Sequence, residues 1–321
     1  MIRKAVLAAL PIYACLLVLI APAVSAQEWN PPPPDKRCPS PWGAEDERGA
    51  ANHMKPDTVL NAARLITEGK VYELGRVLEP SMPTFGLRRF MIHTARTSGP
   101  TGVNQLRGNE EVIHTELGQV GTQFDALPHI AIGDLFYNCI KIDDVATRTG
   151  FTKLGVEKVG TLFTRGVLLD IAALKGAEML EAGYEITASD LGEAARRQGV
   201  DFRTGDAVLL HTGWGKLWMK DNAKYNSGEP GIGIAAAELL AEQRALLVGA
   251  DTWGVEVRPH ANKELAFPVH QVLIVTHGIF LLENLDLEAL ARDQVYTFAF
   301  IVQPLKIRGG TGSTVAPVAV K

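Results

Sequence analysis

Cysteine is scarce in this chain: three residues among 321, at positions 15, 38 and 139. None stands in a Cys-x-x-Cys pair or beside histidine, which speaks against a structural zinc site. Also lacking is any excess of positive charge. Thirty-two Lys and Arg face 36 Asp and Glu, for a net charge of −4, and no basic cluster stands out. That balance argues against a nucleic-acid partner. No Gly-x-Ser-x-Gly elbow is present, so a serine triad of that kind is excluded. The glycine-rich stretch Gly309-Gly310-Thr311-Gly312-Ser313 lacks the lysine and the following helix of a phosphate loop, and is expected to be a turn. There is no internal repeat and no second domain boundary.

What remains is ordinary globular composition, 46% apolar and 21% charged, in a chain long enough for a substantial core. Residues 1–26 have the pattern of a secretory signal peptide: Arg3 and Lys4, an apolar run from Ala5 to Val24, and small residues at Val24-Ser25-Ala26. Pro11 and Pro22 interrupt the run, which favours a cleaved signal over a retained membrane anchor. The expected address is the periplasm, with no membrane attachment after cleavage. Export would permit a disulfide between Cys38 and Cys139, though two distant cysteines do not by themselves establish one. Residues 27–41, with Pro31 to Pro34, Pro39 and Pro41, are expected to form a stiff extended lead-in, and residues 42–321 the folded domain.

Within that domain, strand-like and helix-like segments alternate, the pattern of an α/β fold. Expected strands are 71–74, 112–117, 166–170, 207–211, 246–251, 273–275 and 296–302. Expected helices start at Asp57 (closed by Gly69), at the Thr187/Asp190 capping box (closed by Gly199), at Ala235 and at Leu287, and 212–233 is expected to be loop.

The chemistry concentrates in Gln119-Val120-Gly121-Thr122-Gln123-Phe124-Asp125-Ala126-Leu127-Pro128-His129. On an extended strand, Gln119, Gln123 and Asp125 would share one face, and Pro128 would end the strand with His129 at its mouth. Oxygen donors beside a carboxylate suit a hard cation, and a nearby imidazole can move protons. Farther on, His270 and Glu283 lie among apolar neighbours, and a buried carboxylate needs a partner or a metal. Histidines 53, 93, 114, 211, 260 and 277 have no metal-type spacing and are left as core or surface residues. Phe124, Phe136, Tyr137, Trp214 and Trp253 are candidate walls for a flat substrate, with Phe124, Tyr137 and Trp253 taken as the substrate-binding set.

Several blocks in order resemble the cyclase family of metal-dependent hydrolases, the group of bacterial kynurenine formamidases and isatin hydrolases. They are Trp42-Gly43 through Asn52, Leu74-Gly75-Arg76, the Gln119 to His129 motif, Arg165 to Asp170, Gly205 to Trp214, Gly249 to Glu256, and Pro268 through Leu290. The family motif is His-x-Gly-Thr-His-x-Asp, three residues, then His. Matched to it, Asp125 takes the place of the metal-binding aspartate and His129 that of the proton donor and acceptor. His270 and Glu283 match the later metal-binding pair. Gln119 and Gln123 stand where two metal-binding histidines are expected, as in a subgroup with Gln-x-Gly-Thr-Gln. Amide oxygen is a weaker, harder ligand than imidazole, so the change shifts preference from zinc toward manganese and could empty one of two metal positions.

The resemblance implies a single compact domain with a β-barrel-like mixed sheet flanked by helices, one or two Mn2+ or Zn2+ ions, and a homodimer or homotetramer. It implies arylformamidase-like hydrolysis of a small amide, with lactones (dienelactones included) and cyclic amides as alternative substrates. A secreted binding protein that kept the fold and lost turnover is the alternative from another class.

Overall fold

The computed structural model describes residues 29–321, and the expected signal peptide lies outside them. Four apolar runs, Leu162–Asp170, Ala207–His211, Leu247–Ala250 and Phe280–Glu283, form adjacent parallel strands. They are buried almost without interruption, as strands covered on both faces must be. Antiparallel strands extend this centre on both sides. Thr297–Val302, Val318–Val320 and Val71–Glu73 follow outward from Leu162–Asp170, while Gln123–Asp125 and Gly312–Thr314 follow from Phe280–Glu283. The nine-stranded mixed sheet is flanked by the helices Ala188–Gln198 and Ile234–Glu242, among others.

Chain connectivity requires this sheet to curl. Thr314 ends the outermost strand on one side, and Val318 begins the strand one in from the opposite edge. In a flat sheet those two strands would lie about 34 Å apart, at about 4.8 Å per strand. Four residues reach at most about 14 Å. The strands therefore close toward a half-barrel, and the last ten residues staple its rims. Close packing inside the curl is visible at Gly166, where a Cβ would lie 2.0 Å from the ring of Phe298 on the neighbouring strand.

Local signals were followed where side chains cap the backbone. Asp190 N donates to Thr187 Oγ1 and Thr187 N to Asp190 Oδ2, and Gly199 closes that helix at φ 66°. Elsewhere tertiary contacts override them. Residues 273–275 are helical: Pro268 opens a short α-helix, Pro268–His270, that runs on as the π-helical segment Gln271–Thr276. Fixed φ suits Pro to that first position, and a three-residue apolar run does not distinguish strand from buried helix. Asp57 is not an N-cap, because Pro56 already occupies the first helical position; Lys55 N is satisfied by Thr58 Oγ1 at 3.1 Å.

The proline-rich lead-in is packed rather than merely extended. Pro34–Arg37 forms a helical turn, a disulfide joins Cys38 to Cys139, and Ser40 N donates to Asn138 Oδ1 at 2.8 Å. Helical turns at Trp214–Leu217 and Asn222–Ser227 interrupt the expected loop 212–233. Residues 112–115 close an exposed hairpin, Phe90–Thr101 with Leu106–Thr115, and Gly312–Thr314 is a strand rather than a turn.

Candidate metal centre

The site is built on a three-residue strand. Gln123–Asp125 lies between Phe280–Glu283 and Gly312–Thr314, with Gln123 opposite Glu283 and Asp125 opposite Leu281. Side chains alternate across a strand, so Gln123 and Asp125 face one side and Phe124 the other. Phe124 is fully buried against Phe280, with ring centroids 4.9 Å apart, and is a core residue rather than a substrate contact. Gln119 does not share the strand. It sits in the preceding turn, its N–H donating to Glu116 O, yet its side chain still reaches Asp125. Gly121, at φ 62°, permits that turn; a Cβ there would meet Leu78 Cδ2 at 2.1 Å.

Four side chains converge on one point. Asp125 Oδ2 lies 3.7 Å from His129 Nε2 and 3.9 Å from His270 Nε2, and His270 Nε2 is 3.4 Å from Glu283 Oε1. Asp125, His129 and His270 each offer a ligand atom within 4.8 Å of the other two. Asp125 Oδ2 is buried and has no hydrogen-bond partner among the described residues. An orphaned carboxylate oxygen facing an imidazole nitrogen and a second buried carboxylate fits a divalent cation, since an isolated buried charge is otherwise strongly unfavourable. Both glutamines turn their N–H groups inward. Gln119 Nε2 donates to Asp125 Oδ1 at 2.8 Å and approaches His129 Nδ1 at 3.2 Å, and Gln123 Nε2 donates to Glu283 Oε2. In this arrangement the two amides are hydrogen-bonded to the carboxylates of the centre.

Two residues that the motif did not reveal hold the centre from behind. Glu256 Oε1 lies 2.5 Å from His270 Nδ1, and its carboxylate also takes the backbone N–H groups of Val269 and His270. A carboxylate behind a histidine fixes which ring nitrogen faces the metal. Glu229, fully buried, accepts from the backbone of Trp253 and Gly254 and so fixes that wall of the cavity. The local signal for Glu256 is the one that marked Glu283: a carboxylate between apolar residues, here Val255 and Val257.

Burial sets the electrostatics. Desolvation pushes the Glu283 carboxyl up to about 7, with the Asp125 charge acting in the same direction. Desolvation opposes charge on His270, but the hydrogen bonds of Glu256 and Glu283 prevail and raise it to about 10. His129 is held below the ordinary imidazole range by burial, against the pull of Asp125.

A cavity of about 120 Å3 opens onto the centre, walled by Phe85, Arg88, Trp253 and Phe267 beside His129 and His270. Trp253 is thus placed in the wall. Tyr137 is not: it is buried and donates its hydroxyl to Asp46 Oδ2 at 2.7 Å. Phe136 and Trp214 are likewise core residues, because the sheet and its flanking loops close over them. His211 forms a second buried cluster, with Asp170 Oδ1 2.8 Å from one ring nitrogen and Glu288 Oε1 3.1 Å from the other. Asp251 lies within ligand distance of His211 and Glu288, but both imidazole nitrogens already face carboxylates. That geometry is an ion cluster.

A curled mixed sheet that brings buried carboxylates and imidazoles together near one of its rims defines an α/β fold with a candidate divalent-metal site. The family profile described as "Putative cyclase" matches residues 72–257. The crystal structure of a novel cyclase is 34% identical, covers 87% of this chain and 98% of its own, and superposes with a TM-score of 0.80. The chain belongs to the cyclase family. An isatin hydrolase bound to the product analogue thioisatinate shares the fold at 24% identity and a TM-score of 0.58, covering 83% of this chain and 98% of that one. Isatin hydrolase A from Ralstonia solanacearum does so at 22% and 0.59, covering 84% and 99%. No functionally curated protein matches.

Proposed function

We propose that this chain is a metal-dependent hydrolase of a small amide or cyclic amide, arylformamidase-like in its chemistry, with lactones as the second substrate class. The observation that carries this reading is the unpartnered Asp125 Oδ2, buried among His129, His270 and Glu283. Asp125, His270 and Glu283 would hold the cation, and two carboxylates with one imidazole favour manganese over zinc. Bound there, a divalent ion supplies a Lewis acid that polarises a carbonyl and lowers the pKa of water. A binding protein without turnover would need neither His129 nor Glu256 behind His270.

His129 moves the protons. Its lowered pKa keeps it neutral near pH 7, as a general base requires. The Gln119 amide donates to Asp125 Oδ1, so its other N–H faces His129 Nδ1, and the neutral ring then carries its proton on Nε2. In that state Nε2 already carries the proton and cannot accept one from water. To accept a proton at Nε2, the ring must hold its own on Nδ1, which requires the Gln119 amide to present oxygen. The imidazolium formed by that step would then return the proton from Nε2 to the leaving group, so Gln119 sets the tautomer in which His129 can act.

Periplasmic export and assembly as a homodimer or homotetramer belong to the same proposal; the Cys38–Cys139 disulfide supports an oxidising compartment. The test is metal content of the purified protein, with Asp125→Ala and His270→Ala alongside, followed by turnover of formanilides and lactones with added manganese. Near-stoichiometric metal in the wild type, lost in both variants, is expected together with turnover. A protein that stays metal-free after manganese or zinc loading would overturn the mechanism.

A further inference from the structure

At the cavity mouth, side chains stack in three layers. The Arg88 guanidinium lies 5.5 Å from the ring centroid of Phe85, which in turn stacks on Trp253 at 4.4 Å and 12°. Arg88 lines the cavity, is half-buried, and acts electrostatically on both His129 and Glu283. Among the described residues its side chain has no carboxylate partner and no hydrogen bond, whereas Arg165 is paired with Asp206 and Arg76 with Asp286. The Trp253 indole N–H in the same wall is buried and also without an acceptor. The wall therefore carries a cationic donor beside a second donor without an acceptor, and among the described residues the one carboxylate lining the cavity is Glu283, at the metal position.

A guanidinium held over an aromatic ring is partly preorganised for a carboxylate, which it can bind through two parallel N–H groups. A solvated surface arginine would lack both the stack and the neighbouring unpaired donor. We infer that Arg88 is a specificity-determining residue that binds a carboxylate of the substrate, so that the preferred substrates are small anionic amides or lactones. The inference rests on the hydrolase reading above for the identity of the bond cleaved, but not for the anion. At about 120 Å3 the cavity is small beside the roughly 300–1,000 Å3 of drug-sized sites, which favours a compact substrate.

The experiment uses the manganese-loaded full chain with Arg88→Leu and Arg88→Lys. Benzoate binding is measured by calorimetry, and kcat/KM is compared for formanilide and for its ring-carboxylated counterpart, 2-formamidobenzoate. Arg88→Leu is expected to weaken benzoate at least tenfold and to lower the carboxylated-to-neutral kcat/KM ratio at least tenfold, with Arg88→Lys restoring part of both. Equal losses on the two substrates would assign Arg88 to the reacting carbonyl instead and overturn the inference. Unchanged benzoate affinity in Arg88→Leu would overturn it too, since the cation alone would then be holding the anion. Arg88-dependent benzoate binding without turnover of either substrate would sustain anion recognition while sinking the hydrolase reading.

Discussion

Asp125 has one carboxylate oxygen engaged by Gln119 and one left facing two imidazoles, and the residues around it divide the remaining labour. His129, whose pKa is depressed chiefly by burial, stays neutral to lower pH than an ordinary imidazole with its pKa near 6.5. The acid limb of kcat/KM against pH is therefore expected below about pH 6.5. His129→Gln should cost about 10²–10⁴ in kcat and abolish that limb, with bound metal retained. Glu256→Gln should leave the fold intact yet weaken metal affinity about 10–100-fold, read by competition with a chelator. The Gln119 to His129 stretch drew attention to Asp125 and His129 and apolar flanks to His270 and Glu283, but their roles were legible only through the family resemblance. Glu256 carried the same apolar flanks and was passed over, while Glu229 and Arg88 escaped because their roles depend on what packs against them. Phe124 and Tyr137 were misassigned because an aromatic near a motif carries no information about which face of the sheet it occupies.

Among the elements, three of the four central parallel strands were legible because their apolar runs are short and bounded by turn residues, while Phe280–Glu283 was not among the expected strands. The helix Ala188–Gln198 was legible because its caps are local hydrogen bonds. Residues 273–275 were not, since the same apolar run serves a helix buried on every side. Nor was the strand Gly312–Thr314, whose backbone pairs only once the sheet has curled. Gly166 reports on that curl. Its missing side chain lets Phe298 lie across the backbone, and Gly166→Ala would force a methyl to within 2.0 Å of the ring. A loss of about 1–3 kcal/mol is expected from such overpacking, seen as a lower urea midpoint with an unchanged m-value.

For the whole molecule, stability should depend on pH through His211. Burial opposes its charge, but Asp170 and Glu288 on its two nitrogens raise its pKa to about 10. A group raised above its unfolded value of about 6.5 stabilises fully below that pH, and the contribution fades as pH climbs toward 10. His211→Gln should therefore cost roughly 3–5 kcal/mol near pH 6 and progressively less toward pH 10, in denaturant titrations across that range. The strand order carries a consequence for the cation as well. Gln123 and Glu283 meet across adjacent strands although they lie 160 positions apart in the chain, so the unfolded polypeptide has no assembled ligand set. Cation binding and folding are then thermodynamically linked: above the dissociation constant, each tenfold rise in free manganese adds about 1.4 kcal/mol to the stability of the folded state. The melting temperature would then gauge metal occupancy, and transfer to a metal-poor medium would leave the same chain measurably easier to unfold.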